Sequence, residues 1–509
     1  MRWENLERRE YQFRLASLAC EQNLMVVMPT ALGKTVVAAL AAAGLLSRHW
    51  DGKAVIMAPT RPLAAQHRET FLGILKVGEE RTVLLTGEVD PGERALAWED
   101  GEKKLVFATP QTVWSDLRRG SASLEKAYLV VCDECHRARL RYAYTRIAEV
   151  YHQDCSFPHL LALTASPGAS KERILEVCRA LRIERVEVRD EYDPDVLPYI
   201  HPVKVEWRTV SLPPEYVEVS KILGEKEREG MKKLEETGVV KFPSRAGRKD
   251  FLLAQSRLVE EAKVNRAMWP AVHEAGKLVQ LSYLRELVES QGGEVAAAFL
   301  RRVAGSRKAS HRLLLAELVT SGLTEKILRL PEHPKLGELW KLVSSVPGGI
   351  LIFNHYRDSV DHLVSWLRGR GLKVERFVGQ ADREGSRGMK QEEQAEVLER
   401  FRRGELQALV LSSVGEEGLD IPSADLVIFY EPVPSEIRFI QRKGRTGRRG
   451  EGRAVVLVAE GTVDRAYMWT SRKKVREMRR ILEEIGGELE RVERVEPKVV
   501  PFPGTNNFR

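Results

Sequence analysis

The chain has 509 residues, 43% apolar and 30% charged, which is too long for one hydrophobic core and suits three or four domains. Its 81 Lys and Arg against 73 Asp and Glu leave a net charge of +8, a mild basicity that favours a polyanionic partner while most of these charges are solvated surface. Five scattered cysteines, at 20, 132, 135, 155 and 178, argue against a disulfide framework and for a reducing compartment, and no apolar run approaches the roughly 20 residues that span a bilayer.

The start, Met1-Arg2-Trp3-Glu4-Asn5, lacks the apolar core of a secretion signal, so a cytoplasmic protein without membrane contact is expected. Arg9-Glu10-Tyr11-Gln12 follows, and a Gln amide can read an adenine edge in both directions. The apolar run Leu24–Met28 then leads into Pro29-Thr30-Ala31-Leu32-Gly33-Lys34-Thr35 and an Ala/Leu/Val-rich helical segment. Strand, tight loop and helix in that order make a nucleoside-triphosphate phosphate loop. Backbone N–H groups and the helix N-terminus attract the phosphates, Lys34 reaches the β/γ oxygens, and the Thr35 hydroxyl binds Mg²⁺. Met28 stands where the general pattern has its leading glycine.

Further strands are expected at Ala54–Ala58, Thr82–Leu85, Lys104–Ala108, Tyr128–Cys132 and Leu160–Thr164, alternating with helical stretches as in a helix-covered parallel sheet. Asp133 and Glu134 follow the apolar strand Tyr128–Cys132, and two adjacent carboxylates there suit Mg²⁺ ligation plus a base that orients the attacking water. Cys132 and Cys135 form a C-x-x-C, but no second pair exists and Cys132 belongs to the buried strand, so a thiolate metal or redox role is set aside. Thr164-Ala165-Ser166 follows the last of these strands and gains its interest from that position.

From about 213 to 330 the texture changes. Leu212-Pro213-Pro214 opens the segment, Pro331 and Pro334 close it, and residues 216–330 carry 21 Lys and Arg against 15 Asp and Glu. It reads as an all-helical insertion, with long helices at Asp250–Leu287 and Glu294–Leu330 and a mobile basic loop around 238–249 that holds Lys241, Arg245, Arg248 and Lys249. The α/β texture returns with strands at Ile350–Phe353, Val374–Val378, Ala408–Ser412, Leu426–Tyr430 and Ala454–Val458. Arg445 and Arg448, three apart, share one helical or turn face, and with Gln441, Gly444 and Gly447 they make a specific pattern of charge-stabilising arginines. The expected division is 1–212, 213–330, 331–475, and a helical extension with a flexible tail at 476–509.

Taken together, Pro29–Thr35, Ala58-Pro59-Thr60-Arg61-Pro62-Leu63, Thr86-Gly87-Glu88, Ala108-Thr109-Pro110-Gln111-Thr112, Asp133–His136, Thr164–Pro167, the segment 413–420 and Gln441–Arg448 resemble superfamily-two helicases. Phe377-Val378-Gly379-Gln380-Ala381 and Phe429-Tyr430-Glu431-Pro432-Val433-Pro434-Ser435 narrow the resemblance to the helicase part of archaeal Hef, kin to the Fanconi anaemia group M proteins. The resemblance implies two RecA-like domains with ATP and Mg²⁺ in their cleft. It assigns Gln12 to adenine, Pro29, Thr30, Ala31, Leu32, Gly33, Lys34 and Thr35 to phosphate and Mg²⁺, and Asp133 and Glu134 to metal and water. Gly418 and Asp420 take a nucleotide-side role, and Gln441, Arg445 and Arg448 close from the second domain. Arg61, Thr86, Gly87, Thr109 and Gln111 would lie along a nucleic-acid track, and the helical insertion would bind branched DNA. Ala31 replaces the usual glycine and Cys135 the alanine of the commoner acidic box. The Asp-Glu-Cys-His form also resembles duplex-RNA sensors and Dicer-type helicases. No Glu-Arg-Lys nuclease motif is seen, so strand cleavage is not expected. The reading is an ATP-dependent DNA helicase or translocase acting on forked or branched DNA. Its rivals are a duplex-RNA-activated ATPase and an ATP-gated clamp that recruits a separate nuclease; a replication-clamp protein is the other partner considered.

Overall fold

The computed structural model describes the chain apart from residues 30–31, 169, 191–192, 200–203, 245, 381–386, 413–421, 423, 433–452, 486–488 and 498–509, and apart from the side chains of 470–476, 479 and 483. Short apolar runs build the first sheet, four of them buried at every residue. In chain order the elements are α1 (Glu10–Ala19), β1 (Leu24–Val27), α2 (Lys34–Arg48), β2 (Lys53–Met57), α3 (Arg61–Ile74), β3 (Thr82–Leu85), α4 (Pro91–Glu99), β4 (Leu105–Ala108), α5 (Pro110–Arg119), β5 (Ala127–Cys132), α6 (Ala143–Asp154), β6 (Leu160–Thr164), α7 (Lys171–Ala180) and β7 (Arg185–Val188). Because β1, β4, β5 and β6 are buried throughout, helices must cover both faces, and each strand-to-strand connection must cross over. The outcome is a parallel sheet of order β3-β4-β2-β5-β6-β1-β7.

The next strand, β8 (Lys204–Val210), does not join that sheet. It is the edge of the second one, so a boundary at 212 counts seven residues with the wrong sheet. Its half-exposed, alternating character is that of an edge strand, which carries little apolar signal. The insertion follows as α8 (Pro214–Glu235), α9 (Arg248–Val264), α10 (Trp269–Ser290), α11 (Gly293–Ala304), α12 (Ala309–Thr320) and α13 (Leu323–Leu328). Neither of the two long helices expected here is continuous. Asn265 ends the first, its side chain accepting from the Ala267 N–H, and Pro270 opens the next helix as a first-turn proline. The second is broken after Ala304 and again at Gly322, which holds φ +67°. The expected basic loop is tied down by Val240, which is buried, and by Phe242, whose ring meets Phe251 edge-on. Arg248 and Lys249 already belong to α9.

The remaining elements are α14 (Pro334–Ser344), β9 (Ile350–Phe353), α15 (Arg357–Arg368), β10 (Val374–Phe377), α16 (Gln391–Arg402), β11 (Ala408–Leu411), β12 (Leu426–Phe429), β13 (Arg453–Ala459) and α17 (Val463–Glu484). They form a second parallel sheet, β10-β11-β9-β12-β13-β8. A buried polar seam joins this domain to the insertion. Lys335, fully buried, pairs with Asp464 at 2.5 Å, and Ser290 Oγ donates to Asp464 at 2.8 Å. Gln291 accepts from Asn354 at 2.8 Å and Ser359 at 2.7 Å. Each group in the seam answers another, as a dry polar contact requires. Among the described residues no helix is long and apolar enough to cross a membrane.

Candidate active site

In a parallel sheet all strands end on one edge, and loops leaving that edge place side chains side by side in the order of the strands. Here β1, β6 and β5 are successive neighbours, so Pro29 with Leu32 and Gly33, the Thr164–Ser166 turn and Asp133-Glu134 lie along the same edge. Met28 N–H donates to Thr164 O at 2.9 Å, which pins the start of the loop to β6. Gly33 closes the loop at φ +78°, and a Cβ there would stand 2.5 Å from Gln12 Nε2. Lys34 opens α2, is nearly buried, and donates to Met28 O at 3.0 Å. Thr35 follows it on the first turn. Thr30 and Ala31 lie outside the described residues.

Gln12 sits beneath this loop. It is 2% exposed and donates to Leu32 O at 2.9 Å, as does the Tyr11 hydroxyl at the same distance. The structure therefore gives Gln12 a definite partner in the loop itself, a contact the adenine expectation did not include.

Asp133 is 7% exposed, and its two oxygens are taken up separately. Oδ1 accepts from the Glu134 N–H at 2.9 Å, and Oδ2 lies 2.9 Å from His67 Nε2. Burial, the largest single influence, opposes ionisation, but the His67 contact, Lys34 and the Glu134 N–H outweigh it and hold the carboxyl below its usual range. The Tyr144 hydroxyl fixes the backbone by donating to Asp133 O at 2.7 Å. Glu134 adopts φ +50°, a conformation costly for a non-glycine residue and held by its surroundings. Its Oε2 lies 3.3 Å from His136 Nδ1, and that nitrogen also lies 3.3 Å from Thr164 Oγ1. Burial pushes the Cys132 and Cys135 thiols upward, away from the thiolate form that metals bind.

An anionic Asp133 and the Thr35 hydroxyl are hard oxygen donors of the kind Mg²⁺ takes. Among the described residues no three His, Cys, Asp or Glu side chains gather as a metal cage.

Further along the same edge lie the ends of β2, β4 and β3. Arg61 begins α3 and pairs with Glu88; Thr86 is buried, and Gly87 faces open space. Thr109 Oγ1 contacts Thr112 Oγ1 at 2.8 Å, and exposed Gln111 meets the Tyr142 hydroxyl at 3.5 Å. On the insertion, Lys241 and Lys249 are exposed. Arg248 is half-buried, stacks over Tyr283 at 4.3 Å and lies 3.7 Å from Glu286. Arg245, Gly418, Asp420, Gln441, Arg445 and Arg448 lie outside the described residues. His67 and Tyr144 were not foreseen. They reach Asp133 from α3 and α6, and no local pattern announces a contact across that separation.

Two family models match: the DEAD/DEAH box helicase over residues 9–174 and the helicase conserved C-terminal domain over 334–450. The chain is 38% identical over 488 residues to a putative ATP-dependent RNA helicase of Methanocaldococcus jannaschii, covering 94% of this chain and 61% of that one. It is 32% identical over 502 residues to the ATP-dependent DNA helicase MPH1 of Coccidioides immitis, covering 90% of this chain and 45% of the other. It thus spans only part of the length of these relatives. The crystal structure of the Pyrococcus furiosus Hef helicase domain superposes with a TM-score of 0.68 at 39% identity, covering 91% of this chain and 98% of that one.

Proposed function

The chain belongs to the DEAD/DEAH-box helicases, in the group of the Hef helicase domain, and from that premise we propose that it is an ATP-dependent DNA helicase or translocase acting on forked or branched DNA. The observation that carries this reading is the layout of one sheet edge. Lys34, Asp133, Glu134 and Thr164 stand at one part of it, and Arg61, Thr86, Thr109 and Gln111 at the other. One domain thus offers a triphosphate end and a polar track end on the same surface.

In this reading the loop N–H groups and Lys34 hold the β/γ-phosphates, and Thr35 and Asp133 hold Mg²⁺. The ion supplies charge neutralisation across the phosphate oxygens. Glu134 orients a water and accepts its proton. The water oxygen bonds to the γ-phosphorus as the bond to the β–γ bridging oxygen breaks, leaving ADP and phosphate. Gly418, Asp420, Gln441, Arg445 and Arg448 complete the site from the second domain when it closes. Arg61, Thr86, Gly87, Thr109 and Gln111 guide one strand, while the basic insertion holds a second arm through phosphate contacts.

The test is a pair of variants. Glu134→Gln should bind ATP normally and lose turnover by about a hundredfold or more, since an amide cannot take the proton. Lys34→Ala should instead lose ATP affinity. Normal turnover in Glu134→Gln would remove the assignment. The printed name of the Methanocaldococcus relative specifies RNA, which favours a duplex-RNA-activated ATPase as the second reading.

A further inference from the structure

Helix α17 is fastened at its two ends to different bodies. At its start the Thr462 hydroxyl accepts from Asp464 N–H at 3.2 Å, and Asp464 accepts from Ala459 N–H at 3.0 Å besides its pairing with Lys335 and Ser290. That end belongs to the second domain and the insertion. About four turns later Met478, Ile481, Leu482 and Ile485 are buried in the core of the first domain.

Beyond the helix the chain continues along the first domain. Val492 N–H donates to Glu184 at 2.9 Å, and Val495 N–H donates to Ser156 O at 2.8 Å. Arg494, nearly buried, pairs with Glu184 and donates to Pro158 O at 2.7 Å and Asn23 Oδ1 at 3.0 Å. Asn23 precedes β1, Ser156 and Pro158 precede β6, and Glu184 precedes β7. The arm is therefore latched to the edge of the first sheet opposite the candidate site.

Between the two fastenings, Ser166 Oγ donates to Met478 Sδ at 2.8 Å. Ser166 N–H donates to Thr164 Oγ1 at 3.1 Å, Thr164 Oγ1 lies 3.3 Å from His136, and His136 lies 3.3 Å from Glu134. A continuous set of contacts runs from the last helix to the acid. Glu134 is at positive φ, and the His136 contact is where this set of neighbours reaches its carboxylate.

We propose that Met478 is a positioning residue for Glu134, and that α17 with its latched arm is a strut carrying movement of the second domain to the site through Ser166, Thr164 and His136. The proposal rests on the reading of a DNA-driven ATPase. A helix is stiff along its axis, so when one anchored end moves the other must shift or shear in its seat. The latch keeps the arm from following, which directs the displacement onto the Thr164–Ser166 turn.

The test uses the full chain with Glu184→Gln and Arg494→Ala combined, which opens the latch without stranding a buried charge. Basal ATP hydrolysis should persist, while stimulation by forked DNA should fall by about fivefold or more with KM for ATP unchanged. Met478→Leu, which keeps the volume and removes the sulfur acceptor, should lower kcat on forked DNA to a smaller extent, with KM for ATP unchanged. Undiminished stimulation in both variants overturns the strut. So does a loss of basal and stimulated rates in equal proportion, because that is the signature of a merely structural arm. Absence of DNA stimulation in the unaltered protein instead overturns the functional reading, and the strut with it.

Discussion

At the scale of single residues, Asp133 keeps its charge in a buried setting because His67, Lys34 and a backbone N–H each favour the carboxylate. His67 is the partner that no motif contains. It is itself buried, and its Nε2 holds Oδ2 at 2.9 Å, so together with the Glu134 N–H on Oδ1 it fixes the plane of the carboxylate. Groups that orient a metal-binding carboxylate commonly contribute tenfold or more to metal affinity. His67→Ala should therefore weaken Mg²⁺-dependent ATP binding by about tenfold, with His67→Asn restoring part of it. A titration of ATP affinity against Mg²⁺ concentration reads this directly, and an unchanged midpoint would show that His67 only fills space. Asp133 and Glu134 stood out because they follow a wholly apolar strand, and Lys34 because the loop is local. His67, Tyr144 and Met478 were not, because their roles exist only once distant segments are packed together.

At the scale of elements, strands buried on both faces, such as Leu160–Thr164 and Ile350–Phe353, were legible as apolar runs, and so were two edge strands, Thr82–Leu85 and Val374–Phe377. The other two edge strands, Arg185–Val188 and Lys204–Val210, escaped because charged side chains alternate with the apolar ones. The seam between the insertion and the second domain was equally hidden, since Lys335, Asp464, Ser290 and Gln291 read as surface residues in sequence. It carries a clear energetic expectation. Asp464→Ala leaves the fully buried Lys335 ammonium without its counter-charge, with only Ser290 O and Oγ still accepting from it, and should cost about 3–5 kcal/mol. Replacing both, with Lys335→Met and Asp464→Leu, should recover most of that loss. Denaturant midpoints of the three proteins decide it, and equal destabilisation in the single and double variants would contradict the account. The insertion makes a second expectation at this scale. Alanine at Lys241, Arg245, Arg248 and Lys249 should reduce fork binding more than single-strand binding and flatten its salt dependence. Because Arg248 also stacks on Tyr283, Lys241→Ala with Lys249→Ala should reproduce the binding loss without disturbing α9. Equal loss on fork and single strand would leave the insertion a spacer.

At the scale of the whole molecule, two parallel-sheet domains, a helical insertion and a returning helix make one connected machine. The insertion is bound to the second domain through a dry polar seam, and α17 runs from that seam into the core of the first domain. Any closure of the two sheets on ATP therefore moves the insertion and the strut together, and a duplex arm held by the insertion would move against a strand held by the first domain. The central claim is that branched DNA drives the ATP cycle, and the most direct measurement is steady-state ATP hydrolysis with single-stranded DNA, duplex, fork, Holliday junction and duplex RNA compared at equal nucleotide concentration. The account predicts the highest rate on forked or four-way DNA, a lower rate on single strands, and no stimulation by duplex RNA. A maximum on duplex RNA, or a rate indifferent to every nucleic acid, would contradict it.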